Sequence, residues 1–299
     1  MGLPAAQDFD FDIDDYINRI IPPSQLHRLP RPISRFLGYR DVPSQELGNV
    51  LVCVWASVGA FCGLILVMGV FQASHAIQSL HPPVLIASLA ATAILDYQTI
   101  QSPLAQPRSS VLGHTISAVV GVGVTKLFML RSDFERLRWI AGAVCCALAS
   151  SAMGLTNTVH PPGGATAALA AVDPVVTNLG WYFVALVVLG SVLMLACALI
   201  INNIQRQFPV FWWTPRDVGR LQEPDIEESS QIGEGTLEKR MTRAAGSIGQ
   251  DTIIISPNRV VIPDGFTLGR EEKGILEILR DRLRDSIESD EASDEVRKD

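Results

Sequence analysis

Three long stretches of the chain carry no Asp, Glu, Lys or Arg: 47–95, 139–172 and 174–205. Each exceeds the roughly 18 apolar residues that read as a membrane span. The pattern predicts continuous apolar helices over about 48–72, 111–130, 139–157 and 178–203. Between them lie two shorter segments with the same opening. One is His81-Pro82-Pro83 and continues to about Leu95; the other is His160-Pro161-Pro162-Gly163-Gly164 and continues through an Ala-rich run to Asp173. Proline suits the first turn of a helix, and alanine favours its continuation. Each segment therefore predicts a helix that starts at its prolines. At about 1.5 Å per residue neither crosses a hydrocarbon core about 30 Å thick. The fold class is an all-α polytopic membrane protein with four transmembrane helices plus two half-helices.

The order long, short, long occurs twice, with 79 residues between His81 and His160, so an internal repeat is predicted. Arg28, Arg31, Arg35 and Arg40 precede the first span, and Arg131, Arg136 and Arg138 lie between the second and third. The positive-inside rule places both groups on one face if the half-helices dip in and return, and both copies then run the same way. In the alternative the first segment spans fully, the loop 131–138 moves to the other face and one copy is inverted. Gly59 and Gly63 form a Gly-x-x-x-Gly spacing that lets another helix approach closely. Both chain ends are expected on the cytoplasmic-type face, and the compartment is open.

Outside 47–205 the pattern changes. Residues 1–46 read as an acidic, Pro-rich arm and a solvated tether. Phe208, Phe211, Trp212 and Trp213 suggest an interfacial aromatic belt, followed by a linker to about 250. From 251 to 299 two short strands around Pro257-Asn258 and a helix over about 270–287 predict a small soluble unit.

The net charge of −7 sits mainly in the tail: residues 204–299 carry 14 basic and 20 acidic groups, against 5 and 4 in residues 47–203. The slightly positive membrane part does not oppose an anion. All five cysteines lie inside apolar spans and read as small hydrophobes. The N-terminus resembles neither a signal peptide nor a transit peptide, so the first span is expected to direct insertion. No Gly-x-Ser-x-Gly, His-Glu-x-x-His or phosphate-cradling motif occurs, and no enzymatic activity or cofactor is expected. The spacings among His75, His81, His114 and His160 match no metal motif. Asp96 and Asp173 are the only carboxylates positioned to couple transport to protons.

The two His-Pro-Pro motifs, with Ser102-Pro103-Leu104-Ala105-Gln106-Pro107-Arg108 and Gly113-His114, resemble the HPP family of integral membrane proteins over roughly 45–205. The arm and tail look like fungal-type additions. Members with a described function, in plastids and cyanobacteria, are nitrite transporters, so the resemblance implies transport. A helix N-terminus is a ready anion site, and two converging ones would form a small positive pocket. Its candidate residues are His81, Pro82, Pro83, His160, Pro161, Pro162, Gly163, Gly164, Gln106, Arg108 and His114. The glycines would expose backbone N–H groups, with Arg108 or His114 at the mouth. Val84-Leu85 stands where the second copy has the glycines, so the two sites are not equivalent.

The expected partners are a lipid bilayer, a small inorganic anion such as nitrite, and further copies of the chain, since four spans make a thin bundle around two half-helices. No nucleic acid is expected. Two other readings stand beside transport of an anion: a membrane-anchored sensor or scaffold acting through its tail, and a channel for small neutral solutes. The histidines have a bland reading too, as caps for backbone groups.

Overall fold

The computed structural model describes residues 11–40, 47–215 and 218, and beyond them 254–256, 259–261, 276, 279 and 280. It divides into two units, Met1–Leu221 and Gln222–Asp299. In the second unit, strands β1 (Ile254–Ser256) and β2 (Arg259–Val261) pair antiparallel with Ile255 opposite Val260. The helix expected over 270–287 lies outside the described residues except at three positions.

The first unit is helical. Two short helices, α1 (Asp14–Ile17) and α2 (Arg31–Phe36), form the arm. Among the described residues, four helices have the length and apolarity to cross a membrane: α3 (Asn49–Ala73), a helix over Arg108–Phe128, α7 (Phe134–Leu155) and α10 (Tyr182–Gln205). The second of these opens with a π-helical turn, Arg108–Leu112, and continues as α6 (Gly113–Phe128). Three short helices fill the intervals: α4 (His75–Gln78), α5 (Ala87–Gln98) and α8 (Pro161–Val172). A further short helix, α9 (Pro174–Leu179), precedes α10 and is capped by Asp173, whose Oδ1 accepts from the Val175 and Val176 amides. Asp173 is thus committed to the backbone.

The helix expected at the second His-Pro-Pro begins where the prolines place it, with Pro161 its first residue. The first does not. His81 adopts φ 50°, residues 81–86 are not helical, and α5 starts only at Ala87. In that copy Val84 and Leu85 supply neither the small residues nor the alanines that carry the second helix on from its prolines.

Contacts at the helix ends fix the directions. Trp55 of α3 donates to Gln205 of α10, and Arg108 donates to the Thr156 carbonyl just after α7. These ends gather at the arm, where Arg35 also donates to the Ile204 carbonyl. At the far end Arg138 of α7 donates to the Ala171 carbonyl at the end of α8, and Lys126 of α6 lies beside Gly180. Between them α5 runs toward the arm end, with Leu89 against Gly190 and the Asp96 carbonyl accepting from Asn202. Successive long and short helices therefore alternate in direction, and the loop 129–133 lies at the end opposite the arm. This overturns the expectation that both half-helices return to the face they entered and that both copies run the same way. At the end opposite the arm, Arg131 pairs with Asp133 and Arg138 with Glu135.

Packing uses small residues, as expected where lipid provides no hydrophobic drive between helices. Gly59 and Gly63 of α3 face the Tyr97 ring, whose hydroxyl donates to the Met194 carbonyl at 3.1 Å. The Gly-x-x-x-Gly face is thus filled within the chain. Ala141, Cys145 and Ala149 of α7 pack on Ala167 and Ala171 of α8. The arm is no free tether: Trp212 donates to the Leu37 carbonyl and Trp213 to Asn18. Those aromatics hold the arm, and Phe208 is fully buried.

The alternation has a direct check. Single cysteines introduced at Ser24 and at Ser132, on a cysteine-free background, should react with an impermeant maleimide from opposite sides of a sealed membrane. Labelling of both from the same side contradicts the fold described.

Candidate functional site

On α5 three polar residues recur four apart, Ser88, Thr92 and Asp96, and so share one face of the helix. All three are at most 1% exposed. Opposite them stand Ser110 and His114, also four apart, across the π-turn and α6, and Thr166 of α8. His160, the residue before α8, completes the group and is likewise fully buried, with its ring centroid 4.8 Å from that of His114.

One hydroxyl joins the two rings. Thr92 Oγ1 lies 2.6 Å from His114 Nε2 and 3.1 Å from His160 Nε2. His160 Nδ1 is 2.8 Å from the Leu104 carbonyl, and His114 Nδ1 is 2.8 Å from Thr166 Oγ1. Counting protons orders the chain for two neutral imidazoles. A carbonyl only accepts, so His160 Nδ1 holds the proton and its Nε2 accepts. Satisfying that nitrogen takes the Thr92 proton, for which the Ser88 carbonyl, also at 3.1 Å, is the competing acceptor. Having one proton, Thr92 then accepts from His114 Nε2–H, and His114 Nδ1 accepts from Thr166. For this the Thr166 proton turns to His114 from Ser88 Oγ, to which Thr166 donates at 2.7 Å. In this order every ring nitrogen is satisfied. In the reverse order both rings need the Thr92 proton, and one is left bare.

The two short helices lie antiparallel here with their first turns overlapping. Ser88, in the first turn of α5, reaches Thr166 one turn into α8, while His160 at the start of α8 reaches Thr92. The two N-termini have thus passed one another inside the bundle, each bringing roughly half a positive charge to its own end of the overlap. Asp96 sits one turn further along. Its Oδ2 accepts from Ser110 at 3.3 Å, and its Oδ1 is buried with no hydrogen-bond partner.

Of the residues singled out from sequence, His114 and His160 meet in this centre, with Pro162 buried beside them. Pro161 is on the exposed side of its helix. His81 is exposed, and Pro82 and Pro83 are half-buried in the non-helical stretch before α5, away from the rings. Gly163 and Gly164 do not open the backbone to a ligand. A Cβ on Gly163 would lie 2.6 Å from Ser117 Oγ, and one on Gly164 3.2 Å from Cys146 Sγ, so both serve close helix packing. The Gly163 amide also donates to the His160 carbonyl. Gln106 is saturated by backbone: its Nε2 donates to Ile100 and Ser102 carbonyls, and its Oε1 accepts from Val210 and Phe211 amides. Arg108 is 6% exposed and paired with Asp14 of the arm. Thr92, Thr166 and Ser88 were missed by the sequence reading. The spacing Ser88, Thr92, Asp96 within an otherwise apolar helix was the available signal.

A family model described as the HPP transmembrane region matches residues 45–209. Among curated proteins, two transmembrane proteins of Dictyostelium discoideum are similar. One is 37% identical over 163 residues, 53% of this chain and 55% of that protein. The other is 36% identical over 162 residues, 53% of this chain and 50% of that one. The chain thus spans about half the length of the curated relatives it matches. No solved structure matches it.

The shared hydroxyl gives a prediction. Thr92→Val keeps the shape but strands two ring nitrogens, and should cost about 1–3 kcal/mol in denaturant unfolding of the detergent-solubilised protein. Thr92→Ser should recover most of it.

Proposed function

The chain belongs to the HPP transmembrane family, and from that premise we propose that it carries a small inorganic anion across the membrane, nitrite being the leading candidate. It is an integral, multi-pass protein of the lipid bilayer. The observation that supports transport most is the buried His114–Thr92–His160 chain at the meeting of two half-length helices. Polar groups inside a membrane domain are costly and mark substrate pathways. Half-helices whose N-termini meet in the interior are a recurrent way to bind an anion without burying a full charge.

In this reading the anion displaces the Thr92–His114 contact and takes the hydrogen bond that His114 Nε2–H gave to Thr92, beside the first turns of α5 and α8. The site residues are then Ser88, Thr92, His114, His160 and Thr166, and binding and translocation need no covalent step. The runs α3–α5–α6 and α7–α8–α10 are read as two copies of opposite direction, related by an axis in the membrane plane. Such copies give alternating access when one rocks against the other about a fixed site.

The test is uptake into proteoliposomes. Wild-type protein should give saturable nitrite flux that formate and nitrate compete for, and the double variant His114→Ala, His160→Ala should lose it. No flux of any anion from folded protein, or full flux in the double variant, overturns the proposal.

A further inference from the structure

The best-built polar contact outside the histidine centre is at the arm end, where Arg108 opens the π-turn that leads to Ser110 and His114. Its guanidinium is held in four ways. NH2 donates to Asp14 Oδ1 at 2.6 Å and to the Thr156 carbonyl at 2.8 Å. NH1 donates to Asp14 Oδ2 at 3.0 Å and to the Trp213 carbonyl at 3.4 Å. The Trp213 ring lies under the guanidinium at 4.1 Å, and Nε is buried with no partner. Both side chains of the pair are nearly closed to solvent, at 4% and 7% exposed.

The Asp14 carboxylate is supplied by α1, and two further contacts hold that segment: Asn157 donates to Asp12 at 2.6 Å, and Trp213 donates to Asn18 at 3.1 Å. Asn157 and Thr156 lie three and four residues before His160, so the arm is tied to the segment that leads into the histidine centre. A bidentate Arg fork selects two oxygens on one central atom. A carboxylate presents that shape, and so does a bent or planar inorganic oxyanion such as nitrite; a halide does not.

We propose that Arg108 is a gateway site for a bent or planar oxyanion, and that the Asp14 carboxylate of the chain's own arm occupies it as a tethered competitor. The gateway role rests on the transport reading above; binding at Arg108 does not. A buried guanidinium left without a counter-charge is costly, so Asp14 leaves as an external oxyanion arrives, and Arg108 is handed from one to the other. A short tether gives Asp14 an effective concentration of order mM, which external anion must exceed.

The experiment uses the full chain in two assays. Asp14→Asn should lower the thermal unfolding midpoint in chloride, and sodium nitrite or sodium formate should restore it where equimolar sodium chloride does not. In proteoliposomes the same variant should lower the half-saturating nitrite concentration several-fold. Asn18→Ala, which loosens the arm without touching Arg108 or Asp14, should shift it the same way by less, and serves if Asp14→Asn does not fold. Restoration by nitrite with no flux in the wild type leaves the oxyanion site standing and removes the transport reading. Failure of nitrite and formate to restore Asp14→Asn, or lower flux at unchanged half-saturation in the variants, overturns the proposal.

Discussion

Inside a membrane domain a buried donor or acceptor left without a partner is costly, because lipid offers none. The Thr92 hydroxyl meets that demand for two imidazoles at once. It can do so only if α5, α6 and α8 approach closely enough for one side chain to reach both rings. Much of the surrounding packing serves that approach. Gly113 leaves room for the Thr158 carbonyl and the His160 Cβ, Gly121 for the backbone at Ala167, and Gly163 for Ser117. Larger residues at these places would part α6 from α8 and break the chain of hydrogen bonds.

The same demand explains the two ends. At the far end Arg138 donates to the Ala171 carbonyl near the end of α8 and to the Thr177 hydroxyl, a cation placed at a helix C-terminus. At the arm end Arg40 donates to carbonyls of residues 35, 39, 203 and 206, and Arg206 to the Tyr97 carbonyl and the Asn202 side chain. These arginines act as ties between segments, so the positive charges that sequence suggests as lipid-face markers are spent on backbone oxygens. Among the described residues Arg40 and Arg206 hold no carboxylate, and Arg138 holds the exposed Glu135; Arg108 differs in having its carboxylate partner closed to solvent.

Much of this was legible in the residues. The four apolar runs gave the long helices to within a few residues, because the absence of charge over such lengths has one common cause. The second half-helix was legible too, since Pro161-Pro162 and the alanines after Gly164 agree on where a helix starts and continues. The first was misplaced because its prolines are followed by Val84 and Leu85, and the backbone turns through φ 50° at His81 before helix begins. Topology was misjudged because the short helices were read by their own length. Each, with the non-helical residues before it, carries the chain from one end of the bundle to the other. Of the site, His114 and His160 could be named but not paired, since 46 residues separate them and only the fold brings them together. The hydroxyl that joins them was lost among ordinary serines and threonines. The role of the arm was hidden because Asp14 is one of several acidic residues there, and nothing in its local pattern points to Arg108.

The ordering of protons in the buried chain is the feature most open to direct measurement. Nitrogen-15 NMR of the histidine-labelled protein in lipid bilayers reports which ring nitrogen carries hydrogen. The hydrogen-bond geometry predicts two different neutral tautomers, with His160 protonated at Nδ1 and His114 at Nε2, and a change in both signals in Thr92→Val. The same tautomer for both rings, or a ring bearing both protons, would contradict the shared-hydroxyl chain on which the proposed site depends.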